Sequence, residues 1–183
     1  MFAVREAEPY LDVFETIRLR SSIRSFTDAD VSDDSVKKLI DAARRAPSAG
    51  NIQPWEFVIV RNPEIKRRLA AGALDQSFIE EAPVVIVVCA DQKASSRGYG
   101  SRGANLYCIQ DTAAAIENML LAVCALGLGA CWVGAFYEEE ARSILRIPDG
   151  IRPVAIVPVG YPAEKPQPRY KRPLEEMIHY EAL

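Results

Sequence analysis

Residues 83–90 read Pro-Val-Val-Ile-Val-Val-Cys-Ala, five β-branched side chains in a run with no polar residue. A strand with one wet face alternates apolar and polar positions, whereas a continuous run marks a central strand buried on both faces. The run is far short of the ~20 residues that cross a bilayer as a helix, so no membrane partner is expected. A chain of 183 residues is long enough for one sizeable core and short for two domains. One domain over residues 1–183, with helices around a mixed sheet of four or five strands, is the economical arrangement.

Helices and strands alternate around this run without a linker or an internal repeat. Residues 10–19 place Leu11 or Val13 with Phe14 and Ile17 on one face of a short amphipathic helix. Ser32 caps a helix whose stripe is Val36, Leu39, Ile40 and Ala43, with Asp33 and Asp34 in its first turn and Arg44 and Arg45 in its last. It must stop near Ala46, because Pro47 disfavours helical geometry in the residue before it. A polar loop over 48–54 leads into a strand at 55–60, and Pro63 opens another helix where its missing N–H costs nothing. Residues 105–126 form the longest expected helix, apolar around much of its circumference and therefore buried on more than one side, at the domain centre or a subunit interface. Gly127 to Gly129 ends it. A strand-like run over 130–136, a helix over 138–145, a strand over 154–159 and a Pro-rich, basic, extended tail over 162–173 complete the chain.

Composition excludes more than it selects. A net charge of -3 and a pI near 5.3 provide no basic field for nucleic acid, although a local arginine cluster can still hold one phosphate. Arg5, Glu6 and Glu8 near the start do not have a signal-peptide layout, so a cytoplasmic protein is expected. Cys89, Cys108, Cys124 and Cys131 lack paired C-x-x-C spacing and read as buried thiols. His179 is the single histidine, so zinc chemistry of the usual kinds has little to work with and no metal site is expected.

Two segments look like chemistry rather than core. Residues 20–26, Arg-Ser-Ser-Ile-Arg-Ser-Phe, gather two guanidiniums and three hydroxyls, donors suited to a phosphate. Residues 46–55, Ala-Pro-Ser-Ala-Gly-Asn-Ile-Gln-Pro-Trp, place amide side chains two residues apart in a Pro-bounded loop, a way to address a planar heterocycle. Together they suggest a phosphorylated, ring-bearing cofactor. A third segment, Gly98 to Gly103, matches G-x-G-x-x-G, but residues 92–97 separate it from the preceding strand, whereas the dinucleotide fingerprint needs a tight turn at the strand's edge. It reads as a flexible Gly/Ser/Arg loop.

With Gly-Leu-Gly-Ala-Cys-Trp-Val-Gly at 127–134 and Pro-Arg-Tyr-Lys-Arg-Pro-Leu-Glu-Glu at 168–176, these two motifs form an ordered set that resembles the FMN-dependent nitroreductase family across most of the chain. The resemblance implies an α+β fold: a mixed, largely antiparallel sheet flanked by helices, in a homodimer that exchanges its C-terminal extension and binds FMN at the interface. By motif position, Arg20, Ser21, Ser22 and Arg24 would hold the phosphate, the ribityl chain or the pyrimidine edge. Pro47, Ser48, Ala49, Asn51 and Gln53 would lie beside the isoalloxazine, mainly from the opposite subunit. Val133 and Gly134 would offer backbone groups near the reactive edge, and Arg169, Lys171 or Arg172 would complete the phosphate site.

The implied activity is a ping-pong oxidoreduction in which NAD(P)H reduces FMN and an electron-poor acceptor, such as a nitroarene or quinone, then enters the same pocket. The cofactor carries the redox chemistry and no side-chain acid or base is obligatory, in keeping with the absence of a Ser-His-Asp, Cys-His or paired-carboxylate set. The chain is short for the family, with little between residues 72 and 105 to build a long helical cover, so an open pocket is expected. Other activities on this fold, flavin fragmentation or dehalogenation, and a noncatalytic FMN-binding dimer remain compatible with the sequence.

Overall fold

The computed structural model describes residues 12–166 and 169–183. Leu11 of the expected first helix, Pro168 of the tail motif, and Arg5, Glu6 and Glu8 lie outside the described residues. The 83–90 run forms the central strand, β2 (Val84–Asp91), as its unbroken apolar pattern requires. It pairs antiparallel with β1 (Trp55–Val60) on one side and with β4 (Ile151–Gly160) on the other. A two-residue strand, β3 (Gly129–Ala130), continues beyond β4, giving the order β1-β2-β4-β3. All pairings among these strands are antiparallel; a parallel bridge joins Ser22 to Ala130 of β3. Pro153, which has no N–H for the ladder, sits opposite Cys89 where the β2–β4 register slips by a residue.

Because side chains alternate across a strand, β2 feeds two cores. Val84, Ile86 and Val88 enter one with Leu39, Ile116 and Met119; Val85, Val87 and Cys89 enter the other with Leu69, Ile79 and Ala141. Helices α2 (Asp33–Ala43) and α6 (Cys108–Ala125) therefore cover one face, and α3 (Pro63–Gly72), α4 (Phe78–Glu81) and α7 (Glu138–Leu145) the other. The fold is α+β, a sheet between two helical layers. The expected caps form: Ser32 Oγ accepts the Ser35 N–H at 3.1 Å, and Asn62 Oδ1 accepts the Ile65 N–H at 3.1 Å beside Pro63. Helix α1 (Val13–Leu19) is opened by Asp12, whose Oδ1 accepts the Phe14 and Glu15 N–H groups.

The structure corrects two expectations. Gly98 to Gly103 is not a flexible loop: it lies in a helix, α5 (Gln92–Arg102), broken at Tyr99 and Gly100 and continued by a π-helical turn, Gly103–Tyr107, into α6. Its glycines serve close packing, since a Cβ on Gly98 would stand 2.8 Å from Ile52 Cδ1 and one on Gly103 2.2 Å from the Ser95 carbonyl oxygen. The second correction concerns 130–136, where regular strand ends at Ala130 and the chain keeps only an isolated bridge, Val133 to Ile156, and a Cys131 bond to Pro158. The α5–α6 segment is long and apolar enough by composition to cross a membrane, yet α6 contributes Ile116, Met119 and Leu120 to the core.

Candidate cofactor site

The 20–26 motif leaves α1 at Arg20 and is held extended by bonds at Ile23 and Thr27 to β3 and to the residue after β4. Ile23 N–H donates to the Ala130 carbonyl at 2.9 Å, and Thr27 N–H to that of Tyr161 at 2.9 Å. Ile23 is buried against Gly129, where any Cβ would come within 2.8 Å of its own Cβ; Phe26 lies as close to Gly160. With Ile23 turned inward, its neighbours Ser22 and Arg24 face out, as strand alternation demands.

They face a cleft of about 600 Å³. Six of the residues expected at a phosphate site line it: Arg20, Ser21, Ser22 and Arg24 from the motif, and Arg169 and Lys171 from the tail. Arg172 does not join them; its guanidinium is bonded to Glu176, through the carboxylate at 3.2 Å and the main-chain carbonyl at 2.9 Å. Two further cations, Arg18 and Lys165, line the same cleft. Arg18 stands one side of the motif on α1 and Lys165 in the basic tail, so an extended reading of each segment was the signal for both. Arg20 is steered by Glu117 on α6, 3.7 Å from its Nε, and the Arg24 guanidinium stands 5.8 Å from the Phe78 ring centroid. Guanidinium forks, two ammonium groups and short hydroxyls converging on one cleft make a donor set matched to a phosphate dianion.

The 46–55 motif lies elsewhere. A short 3-10 turn, Ala49–Asn51, is followed by β1, and Pro54 accepts the Asp91 N–H at the end of β2 that pairs with Ile151. The first motif sits beside Gly160, at the other end of β4, and a ten-residue strand spans roughly 30 Å. Pro47, Ser48, Ala49, Asn51 and Gln53 therefore do not line the cationic cleft of their own chain. The loop is strained: Asn51 and Gln53 have φ of 55 and 54°. Such conformations cost energy in L-residues and persist where surroundings enforce them. Here Ser48 Oγ accepts the Gln53 N–H at 3.0 Å, and Asp111 Oδ1 accepts the Ala49 N–H at 3.1 Å.

Asp111 is only 7% exposed, and its second oxygen has no hydrogen-bond partner. Burial pushes its carboxyl above the ordinary range of 3.8, with the Ala49 N–H a smaller opposing effect. A carboxyl whose folded pKa is raised contributes stability below its unfolded value and loses it as pH rises through the folded value. At neutral pH the buried carboxyl is thus a cost. Asp111→Asn, which keeps an acceptor for Ala49, should raise Tm by a few degrees at pH 7 and have no stabilising effect at pH values below 3.8; calorimetry at both pH values checks this, and a gain that persists in acid would contradict it.

Comparison with known proteins decides the family. The nitroreductase family model matches residues 17–77 and 70–161. The chain belongs to the nitroreductase family. It is 36% identical over 164 residues to a Methanothermobacter thermautotrophicus protein whose name assigns it provisionally as an NADH dehydrogenase/NAD(P)H nitroreductase, covering 87% of this chain and 82% of the relative. It is 29% identical over 181 residues to a Bacillus subtilis FMN reductase (NADPH), covering 92% and 73%. The solved structure of a nitroreductase family protein from Streptococcus pneumoniae superposes with a TM-score of 0.85 at 27% identity, covering 93% of this chain and all of that one.

In this nitroreductase family member, Val133 exchanges both main-chain bonds with Ile156, at 2.9 and 3.0 Å, and is buried. Its amide is committed to the sheet. Gly134, the next residue, is exposed and has open space around its Cα. The thiols of Cys89, Cys108 and Cys131 are buried, and burial pushes that of Cys89 up to about 12, so it is inert at neutral pH. Trp55 is buried as a packing anchor, but Trp132 is 39% exposed.

Proposed function

We propose that this protein is an NAD(P)H-dependent flavin oxidoreductase that holds FMN with its phosphate in the cleft of Arg20, Ser21, Ser22, Arg24, Arg169 and Lys171 and reduces electron-poor acceptors such as nitroarenes or quinones. The observation that carries this reading is the convergence of cations from residues 18–24 and 165–171 on one cleft. It is supported by relatives named for FMN reduction and for NAD(P)H nitroreduction.

When bound, FMN supplies the hydride chemistry. The chain's own residues anchor, orient and tune. Arg20 and Arg24 neutralise the phosphate, and the strained loop presents Asn51 and Gln53 to the ring. That loop comes from a second copy, because the two motifs of one chain lie at opposite ends of the sheet. Apolar surface is available for such a pairing: Val13, Phe14 and Ile17 on α1, with Phe14 81% exposed, and Leu174, Met177 and Ile178 in the tail. We read the tail as the segment exchanged in that homodimer.

The test begins with the absorption spectrum of the purified protein and identification of any released chromophore. Flavin bands with FMN released at about one per chain support the reading. A colourless protein that also fails to take up FMN sinks it. Steady-state kinetics with NADH or NADPH against a nitroarene or quinone should give parallel double-reciprocal lines; intersecting lines that require a ternary complex would exclude the shared-pocket, ping-pong cycle.

A further inference from the structure

The cationic cleft contains one carboxylate, Glu164. It is exposed, yet it is anchored to the main chain. Its Oε1 accepts the main-chain N–H groups of two consecutive residues, Arg24 at 2.6 Å and Ser25 at 3.1 Å. Adjacent N–H groups aimed at one oxygen form a nest, a concavity of partial positive charge that binds anions. The next residue is Lys165, and Arg20, Arg24, Arg169 and Lys171 line the same cleft. Glu164 therefore occupies the seat that chemistry would choose for a phosphate.

Its position is built in. The Ala163 N–H donates to the Ser25 carbonyl at 2.9 Å, so the short antiparallel pairing of residues 25–27 with 161–163 delivers Glu164 to the nest. Two anions cannot share two N–H groups in one small concavity without strong repulsion.

We infer that Glu164 is an internal competitor for the phosphate seat, and so the residue that sets how strongly the chain prefers a phosphorylated flavin over the same flavin without phosphate. This rests on the cofactor reading above. A phosphate of higher charge displaces the carboxylate from the Arg24 and Ser25 N–H groups, the six cations of the cleft favouring the dianion. The discrimination is then a balance: the phosphate gains the nest and loses what Glu164 had already satisfied.

The experiment is a titration of the full chain, freed of flavin, with FMN and separately with riboflavin, followed by quenching of flavin fluorescence. Glu164→Gln keeps an acceptor oxygen and removes the charge. It should tighten FMN about tenfold, the effect of deleting one nearby like charge at a partly solvated site, and leave riboflavin within about twofold. Glu164→Ala, which opens the nest outright, should shift FMN in the same direction. Unchanged FMN affinity in both variants, with normal FMN binding by the parent chain, overturns the inference alone. Loss of FMN and riboflavin affinity together also overturns it, for Glu164 is then a clamp on the loop and not a competitor. If the parent chain binds neither flavin, the cofactor reading fails and this inference falls with it.

Discussion

Replacing Arg20 and Arg24 together by Ala should weaken FMN binding by about 10²- to 10⁴-fold, since each guanidinium lost removes a charge-assisted hydrogen bond of roughly 1.5–3 kcal/mol. Both side chains line the cleft and neither lies in the apolar cores, so the fold should survive. Riboflavin, which has no phosphate, should lose less than about tenfold, because the remaining contacts are to the ring and ribityl chain. Equilibrium titration with both flavins reads the difference. If FMN is retained with parent affinity, the phosphate seat lies outside this cleft and the assignment of both arginines is wrong.

Ile86→Ala tests the layered core. Ile86 is fully buried at the middle of the central strand, and it shares a cluster with Leu39, Ile116 and Met119 of the two helices on that face. Truncation leaves a cavity that α2 and α6 cannot both close, at a cost of about 2–5 kcal/mol. For a chain of this size that corresponds to a Tm lowered by roughly 5–15 °C. A drop below about 2 °C in calorimetry would mean that α2 and α6 do not pack on β2.

The legible parts of this chain were those where one residue type has one local consequence. The 83–90 run could only be a doubly buried strand, Ser32 and Pro63 mark helix starts by their own chemistry, and Pro47 stops a helix by sterics. The parts that misled were glycines. Gly98, Gly100 and Gly103 look like a loop when local propensity is all that is visible, but Gly98 and Gly103 are small because Ile52 and the Ser95 carbonyl press against them. Only tertiary packing reveals that. Pro153 likewise hid the start of β4, since proline in a strand reads as an ending until its partner strand shows where the missing N–H is tolerated. At the candidate site, the cations of the two motifs were visible as residues, but Arg18, Lys165 and Glu164 acquire meaning only when the tail folds back on residues 22–27. The separation of the two motifs by the length of the sheet is invisible in the sequence order, where they are neighbours.

The nest that receives Glu164 joins residues 140 positions apart in the chain. A ribosome adding about 5–20 residues per second makes Arg24 roughly 7–28 s before it makes the carboxylate that completes the seat. During that interval β2 and the helices on both its faces are already emerging, while the edge where Ser22 meets Ala130 still lacks its last segment. The complete cleft is thus among the final structures of this molecule to exist during synthesis, and a nascent chain has its sheet before its early arginines are joined by the tail that closes the site.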